Sequence, residues 1–161
     1  MDNFFVRIDD RLVHGQILEA WIPYLRTRAI VVIDDELAFD DFRKMVIAMV
    51  IPQGIQISFF SSQQFNSKWQ HGAALQGGNI LFLFPNTSTL LTVFNAGFMF
   101  QRLNIGNLCS PEAVKLCTPS VMLNATDIKN IKTLLMANVA VDLRRTPNDV
   151  EEAIDLSDDE K

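Results

Sequence analysis

The chain has 161 residues, 48% hydrophobic and 20% charged, with seven Gly and six Pro. That composition fits a single globular domain and excludes collagen-like, low-complexity and wholly disordered chains. The net charge is −5, but residues 149–161 hold seven acids and one base, leaving 13 bases against 12 acids elsewhere. A body this close to neutral lacks the clustered basic face that nucleic acid demands, and the acidity is assigned to a C-terminal helix or tail over 149–161. No run approaches the ~18 apolar residues of a membrane helix. The opening MDNFFVRIDD has neither the basic nor the apolar region of a secretory signal, so a cytoplasmic protein is expected.

Taken in chain order, the pattern alternates between strand and helix. Asn3 to Ile8 reads as a strand. From His14 a helix follows, with Ile17, Ala20, Trp21 and Tyr24 as its inward stripe and Pro23 near its end. Ala29 to Ile33 is apolar throughout, as in a strand covered on both faces. A second helix carries Phe39, Phe42, Met45, Val46 and Met49 as its expected buried stripe, and Pro52 to Gly54 ends it. Ile55 to Phe60 is a strand; Ser61 or Ser62 caps a short helix toward Trp69. Asn79 to Phe84 is another apolar strand, and Asn86, Thr87 or Ser88 caps a helix that Gly97 closes. Arg102 to Ile105 is a short strand, followed by a helix or loop near Pro111 to Leu116 and a strand over Ser120 to Leu123. Thr126 is a cap for a helix ending at Asn138. Val139 to Leu143 is the last strand, and Thr146, Pro147 and Asp149 open a final helix. The expected architecture is α/β: one domain over 1–161, an open, mostly parallel sheet of about seven strands with helices on both faces.

In such sheets ligands bind beyond the carboxyl ends of the strands. The segment leaving the first strand is Arg7-Ile8-Asp9-Asp10-Arg11-Leu12-Val13-His14-Gly15-Gln16. Asp9 and Asp10 can be read as capping carboxylates, Arg11 as their solvated partner and His14 as a packed helix residue. The same residues also suit phosphoryl chemistry. A helix start offers unpaired N–H groups to phosphate, and Arg11 offers a planar fork of donors. Asp10 can orient an imidazole nitrogen or Arg11, Gly15 admits a close ligand or partner backbone, and a neutral imidazole is a good nucleophile. Metal chemistry fits poorly: His71 is the only other histidine, expected on the surface, and no His/Cys/Glu cluster has ligand spacing. Cys109 and Cys117 form neither a redox pair nor a zinc set and are expected as thiols.

The block Arg7 to Ile17 resembles the signature of the IIB components of the mannose/sorbose-type bacterial phosphotransferase system (PTS). The likeness extends to Trp21, Val32-Ile33-Asp34-Asp35-Glu36, Asp41, Arg43-Lys44 and Pro52-Gln53-Gly54. It continues through Asn104-Ile105-Gly106, Asp127 and Thr146-Pro147-Asn148-Asp149. The resemblance implies a cytoplasmic phosphocarrier in which His14, through Nδ1, accepts a phosphoryl group from a phosphorylated IIA component. It then passes the group to a sugar held by the membrane IIC and IID components. Arg11 and the backbone at Gly15 and Gln16 would stabilise the phosphoryl charge, with Asp10 as orienter. No cofactor and no metal are implied, and a homodimer is.

Two loops depart from the family pattern. Phe84-Pro85-Asn86-Thr87-Ser88-Thr89 lacks an acid, and Gly106-Asn107-Leu108-Cys109 lacks a second glycine. Thr87 and Ser88 are candidates either to donate to phosphate or to cap a helix. Three readings follow: a relay serving sugar uptake, a regulatory phosphocarrier without sugar transport, and a histidine phosphatase, which lacks a group to protonate the leaving atom. Trp69, Phe98 and Phe100 are expected in the core rather than at a docking surface. The sugar is not readable, because in this family much of its recognition lies on the membrane components.

Overall fold

The computed structural model describes residues 3–70 and 78–157, so His71 lies outside the described residues. Eight strands form the sheet: β1 (Phe4–Asp9), β2 (Ala29–Ile33), β3 (Gln56–Phe60), β4 (Ile80–Phe84), β5 (Arg102–Cys109), β6 (Lys115–Thr118), β7 (Val121–Leu123) and β8 (Ala140–Asp142). Their order is β3-β2-β4-β1-β5-β7-β6, with β8 also on β5. Every pairing is parallel except β6 with β7. The open, mostly parallel α/β sheet expected from the alternation is therefore present. β6 is the addition, standing where a helix or loop was expected. The fifth strand also runs on to Cys109, because its second half acquires β7 as a partner.

Strand alternation divides the apolar residues between two cores. Val6, Ile8, Val31, Ile33, Phe82 and Phe84 point to one side, where α3 (Ser62–Gln70), α4 (Thr87–Asn95) and α5 (Ala125–Met136) lie. Ile30, Val32, Leu81 and Leu83 point to the other, under a π-helical turn, Ile17–Trp21, that continues as α1 (Ile22–Leu25). Trp21 is its fully buried anchor, stacked on Phe5 at 5.0 Å between ring centroids. Phe98 and Phe100 are core residues, as expected, and Trp69, partly buried, packs on the same core with its ring 4.9 Å from that of Phe98.

Several local expectations change in physically informative ways. The apolar stripe of α2 (Asp41–Val50) exists, but Phe39, Phe42, Met45, Val46 and Met49 face outward and no residue of the helix is buried. Tyr24 is exposed as well. Ser61 is the cap before α3, exchanging bonds with Gln64. Asn86 caps α4. Asn124, not Thr126, caps α5, in a reciprocal box with Asp127. The acidic tail is not a helix over its described part. It runs extended, Ala153 bridging Asp142 antiparallel and Leu156 entering the core. Its Glu152 carbonyl accepts from Leu143, and its Ile154 amide donates to Val141. Apolar Ile154 and Leu156 thus hold a segment whose charges alone read as solvated.

Candidate functional site

The site grows from the carboxyl end of β1. Arg7 and Asp9 share a face of that strand, the one covered by Trp21, and both are fully buried. Arg7 Nη2 donates to Asp9 Oδ2 at 3.0 Å, and Nη1 donates to Asn104 on β5 at 2.5 Å. The guanidinium also lies over the Trp21 ring, 5.0 Å from its centroid. Burial pulls Arg7 below its ordinary basicity while Asp9 acts to restore it. Burial alone would push the Asp9 carboxyl up. The bond from His14 and the Arg7 charge outweigh it and hold Asp9 below the usual carboxylate range.

Room for this buried pair comes from a register shift. Ile8 pairs with Ile105 but Asp9 pairs with Asn107, so Gly106 bulges out of the ladder. A Cβ on Gly106 would stand 2.0 Å from Arg7 Cζ. Only a residue without a side chain lets the guanidinium cross β5.

Beyond β1 the chain reverses at once. Leu12 donates to the Asp9 carbonyl at 2.9 Å and adopts φ 55°, with its side chain buried. The turn brings His14 back over Asp9, whose Oδ2 lies 2.7 Å from Nε2. An ionised carboxylate here fixes the proton on Nε2 and leaves Nδ1 as the unprotonated nitrogen, an acceptor for the Gln16 backbone N–H. Nδ1 sits at the helix start, 3.4 Å from the Gln16 backbone N–H. Asp9 Oδ1 accepts from the Arg11 amide at 3.1 Å, and Oδ2 also accepts from Asn107 Nδ2 at 3.1 Å. The carboxylate thus ties the loop, through the Arg11 amide and His14, to Arg7 on β1 and Asn107 on β5.

The carboxylate meeting the imidazole is Asp9, not Asp10. Asp10 already lies in the turn, exposed, and accepts from the Cys109 backbone N–H at 2.8 Å. Arg11 is exposed, its Nη2 3.3 Å from the Gln16 amide. Gly15 is open: a Cβ added there would have nothing within 4 Å. Thr87 is fully buried, donating to Asp127 Oδ1 at 2.6 Å and accepting from Asn130 at 3.0 Å. Its hydroxyl joins α4 to α5 rather than pointing out to a ligand. Ser88 is exposed, with Asn130 donating to its Oγ at 3.2 Å. Sequence reasoning gave no role in the site to Arg7, Asn107 or Arg145, offered Asp9 only a cap as one alternative, and assigned the orienting role to Asp10. Alternation along β1 was a usable signal, since it puts Arg7 and Asp9 on one face and leaves Asp10 outside the strand.

Among the described residues no group of three or more His, Cys, Asp and Glu is placed to hold a metal, and no helix is long and apolar enough to cross a membrane. Cys109 and Cys117 are not joined as a disulfide.

A mostly parallel α/β sheet that sets a histidine against a buried carboxylate at its carboxyl edge places this chain among α/β proteins whose site lies at the strand ends. The family model described as "PTS system sorbose subfamily IIB component" matches residues 3–158. The chain belongs to that family: it is a PTS IIB component of the sorbose/mannose type, a sugar phosphotransfer domain. It is 33% identical over 152 residues to the fructose-specific EIIB component of Bacillus subtilis, covering 94% of this chain and 93% of that one. It is 29% identical to the sorbose-specific EIIB component of Klebsiella pneumoniae, covering 92% and 90%. Among solved structures, that of manxB from Thermoanaerobacter tengcongensis superposes with a TM-score of 0.83 at 32% identity, covering 92% and 90%.

Proposed function

We propose that this chain is a cytoplasmic phosphocarrier whose His14 Nδ1 accepts a phosphoryl group from the phosphohistidine of a IIA component. It then passes the group to a sugar at a IIC/IID permease. The observation carrying the reading is the 2.7 Å contact between Asp9 and Nε2, which leaves Nδ1 as the nucleophile. In the first transfer the Nδ1 lone pair forms a new P–N bond as the P–N bond to the donor breaks. The bonding pair stays on the donor nitrogen, and His14 keeps its Nε2 proton. The imidazolium so formed is stabilised by Asp9, which Arg7 keeps ionised. Arg11 and the N–H groups of Gly15 and Gln16 neutralise charge on the moving phosphoryl group. Asp10 acts one step back, tying the turn to β5. Ser88 stands at the same sheet edge as an exposed donor, and Thr87 contributes by bracing the loop.

The test is label transfer from phosphoenolpyruvate through enzyme I, HPr and a IIA protein, comparing wild type with His14→Ala. Acid-labile, base-stable label on the wild type alone is the expected result. No label on folded wild type with several IIA donors would overturn the reading. Membranes carrying IIC and IID then separate sugar transport from a purely regulatory role.

We further propose that two copies pair through α2. Phe42, Met45, Val46 and Met49 make one stripe, and with Phe39 and Val50 they are 46–78% exposed. Six large apolar side chains exposed on α2 and the turn just before it form a contiguous patch of the kind that marks a protein–protein interface. Two antiparallel copies of one stripe form a self-complementary contact.

A further inference from the structure

Asn107, whose Nδ2 donates to the same Asp9 Oδ2 that meets His14, lines a cleft with two arginines and one acid, Asp10. The cleft has a volume near 510 Å³ and is lined by Arg11, Asn107 and Cys109 from one direction and by Ser120, Met122 and Arg145 from the other. The Gln16 amide lies at its inner end. One end of that amide is 3.3 Å from Arg11 Nη2 and 3.2 Å from Asn107 Nδ2. The other end is 2.6 Å from Arg145 Nε and 3.0 Å from Arg145 Nη2. An amide has a single oxygen. Turned toward Arg145, it satisfies that guanidinium and presents its NH₂ to the donors of Arg11 and Asn107. Turned the other way, it abandons Arg145. In either orientation one arginine faces a donor. Asp10, the nearest acid on the lining, is turned away to the Cys109 N–H.

Arg145 is also held from behind. Its carbonyl accepts from Trp21 Nε1 at 3.0 Å and from Arg7 Nη2 at 3.2 Å. The preceding carbonyl, of Arg144, accepts from Arg7 Nη1 at 3.3 Å and from Asn104 Nδ2 at 2.9 Å. The buried residues that position His14 through Asp9 thus also place the main chain from which Arg145 reaches out. Arg7 and Asp9 cancel each other in charge, so the charged groups on the cleft's lining are the cations Arg11 and Arg145 and the acid Asp10, with Asp149 also within electrostatic reach of Arg145.

We propose that Arg145 is a second phosphoryl-binding residue, paired with Arg11 across the cleft, and that the missing acceptors are the oxygens of the transferred group. This rests on the phosphocarrier reading and extends it. Two guanidiniums match the two negative charges of a phosphoryl group, and its three oxygens accept from both forks at once. The Gln16 amide is then released to serve one neighbour.

The experiment uses the full chain as wild type, Arg145→Ala and Arg145→Lys, each checked for its fold through the near-ultraviolet signal of buried Trp21. Binding of inorganic phosphate is followed by NMR of the His14 ring, and label uptake from phospho-IIA is timed. The expected result is a loss of phosphate affinity and of the maximal transfer rate by roughly 10- to 100-fold in Arg145→Ala, with partial rescue in Arg145→Lys and an unchanged KM for phospho-IIA. Wild-type phosphate affinity together with a wild-type transfer rate in Arg145→Ala would overturn the proposal. If wild type takes no label at all, the phosphocarrier reading fails instead, and the phosphate titration alone still decides whether Arg145 binds the anion.

Discussion

Gly106 lies under the guanidinium of Arg7, so closely that a methyl group there would fall 2.0 Å from its central carbon. The obstruction is neither surface nor flexible: Arg7 is fully buried and tied to Asp9, Asn104 and two carbonyls. Gly106→Ala should therefore displace a buried cation and lower stability by about 3 kcal/mol or more. Gly15→Ala meets nothing within 4 Å and should unfold at nearly the wild-type urea concentration while slowing phosphoryl transfer, because the methyl group intrudes only on a partner. Equal urea midpoints for the two variants would contradict this account.

Asp9 links stability to pH. Its carboxyl is depressed in the folded chain, below an unfolded value of ~3.9. A depressed acid contributes stability that is present above the unfolded value and lost as pH falls through the folded one. The wild-type urea midpoint should hold between about pH 7 and 5 and drop below about pH 4. Asp9→Asn leaves Arg7 buried without its counter-ion, costing about 3–5 kcal/mol at pH 7, and should flatten the acid limb. Its label uptake should fall about 10- to 100-fold, as when a ligand's orienting partner is removed. Asp10→Asn should do far less, since its contact is with the Cys109 amide. Parallel acid limbs for wild type and Asp9→Asn would refute the assignment.

Thr87 and Ser88 separate a structural hydroxyl from an exposed one. Thr87→Val leaves Asp127 and Asn130 short of a buried partner and should cost about 1–3 kcal/mol, with modest change in transfer rate. Ser88→Ala should be near neutral in thermal melts. The paired melts and rates reverse this expectation if Thr87 is the one that touches phosphate.

The α2 stripe yields a mass measurement. Sedimentation of wild type should report a dimer at micromolar concentration, and Phe42→Glu combined with Met49→Lys should give a monomer with unchanged far-ultraviolet spectrum. A monomeric wild type would remove the pairing proposal.

Local pattern was enough for the strands of the sheet and for the turn carrying His14, because apolar runs and a charged strand-to-helix junction are written in adjacent residues. The orienting acid was not resolved in the same way. Asp9 and Asp10 are neighbours of identical type, and what separates them is a bulge at Gly106 and an amide on Asn107, 98 positions away. The α2 stripe shows a second limit. Periodicity at Phe42, Met45 and Met49 shows that one side of the helix is apolar, but not what covers it. Likewise β6 owes its existence to β7 lying antiparallel beside it, a non-local partner that Lys115 to Thr118 do not announce. In the tail, charges outnumber Ile154 and Leu156, so local composition does not announce that these two residues pack against the core.

β5 serves three neighbours: β1 between Asn104 and Asn107, β8 over Arg102 to Asn104, and β7 at Leu108 and Cys109. Between the last two, one edge of the strand is left without a strand partner, and Ser120 Oγ fills in by donating to the Gly106 carbonyl at 3.0 Å. The cleft opens at this fork. Its walls combine Asn107 and Cys109 of β5 and Met122 of β7 with the turns that carry Asp10, Arg11, Pro119 and Ser120. In the relay proposed above, this one cleft would meet both the protein that loads it and the one that unloads it, and what distinguishes donor from acceptor would be left to the surfaces around it.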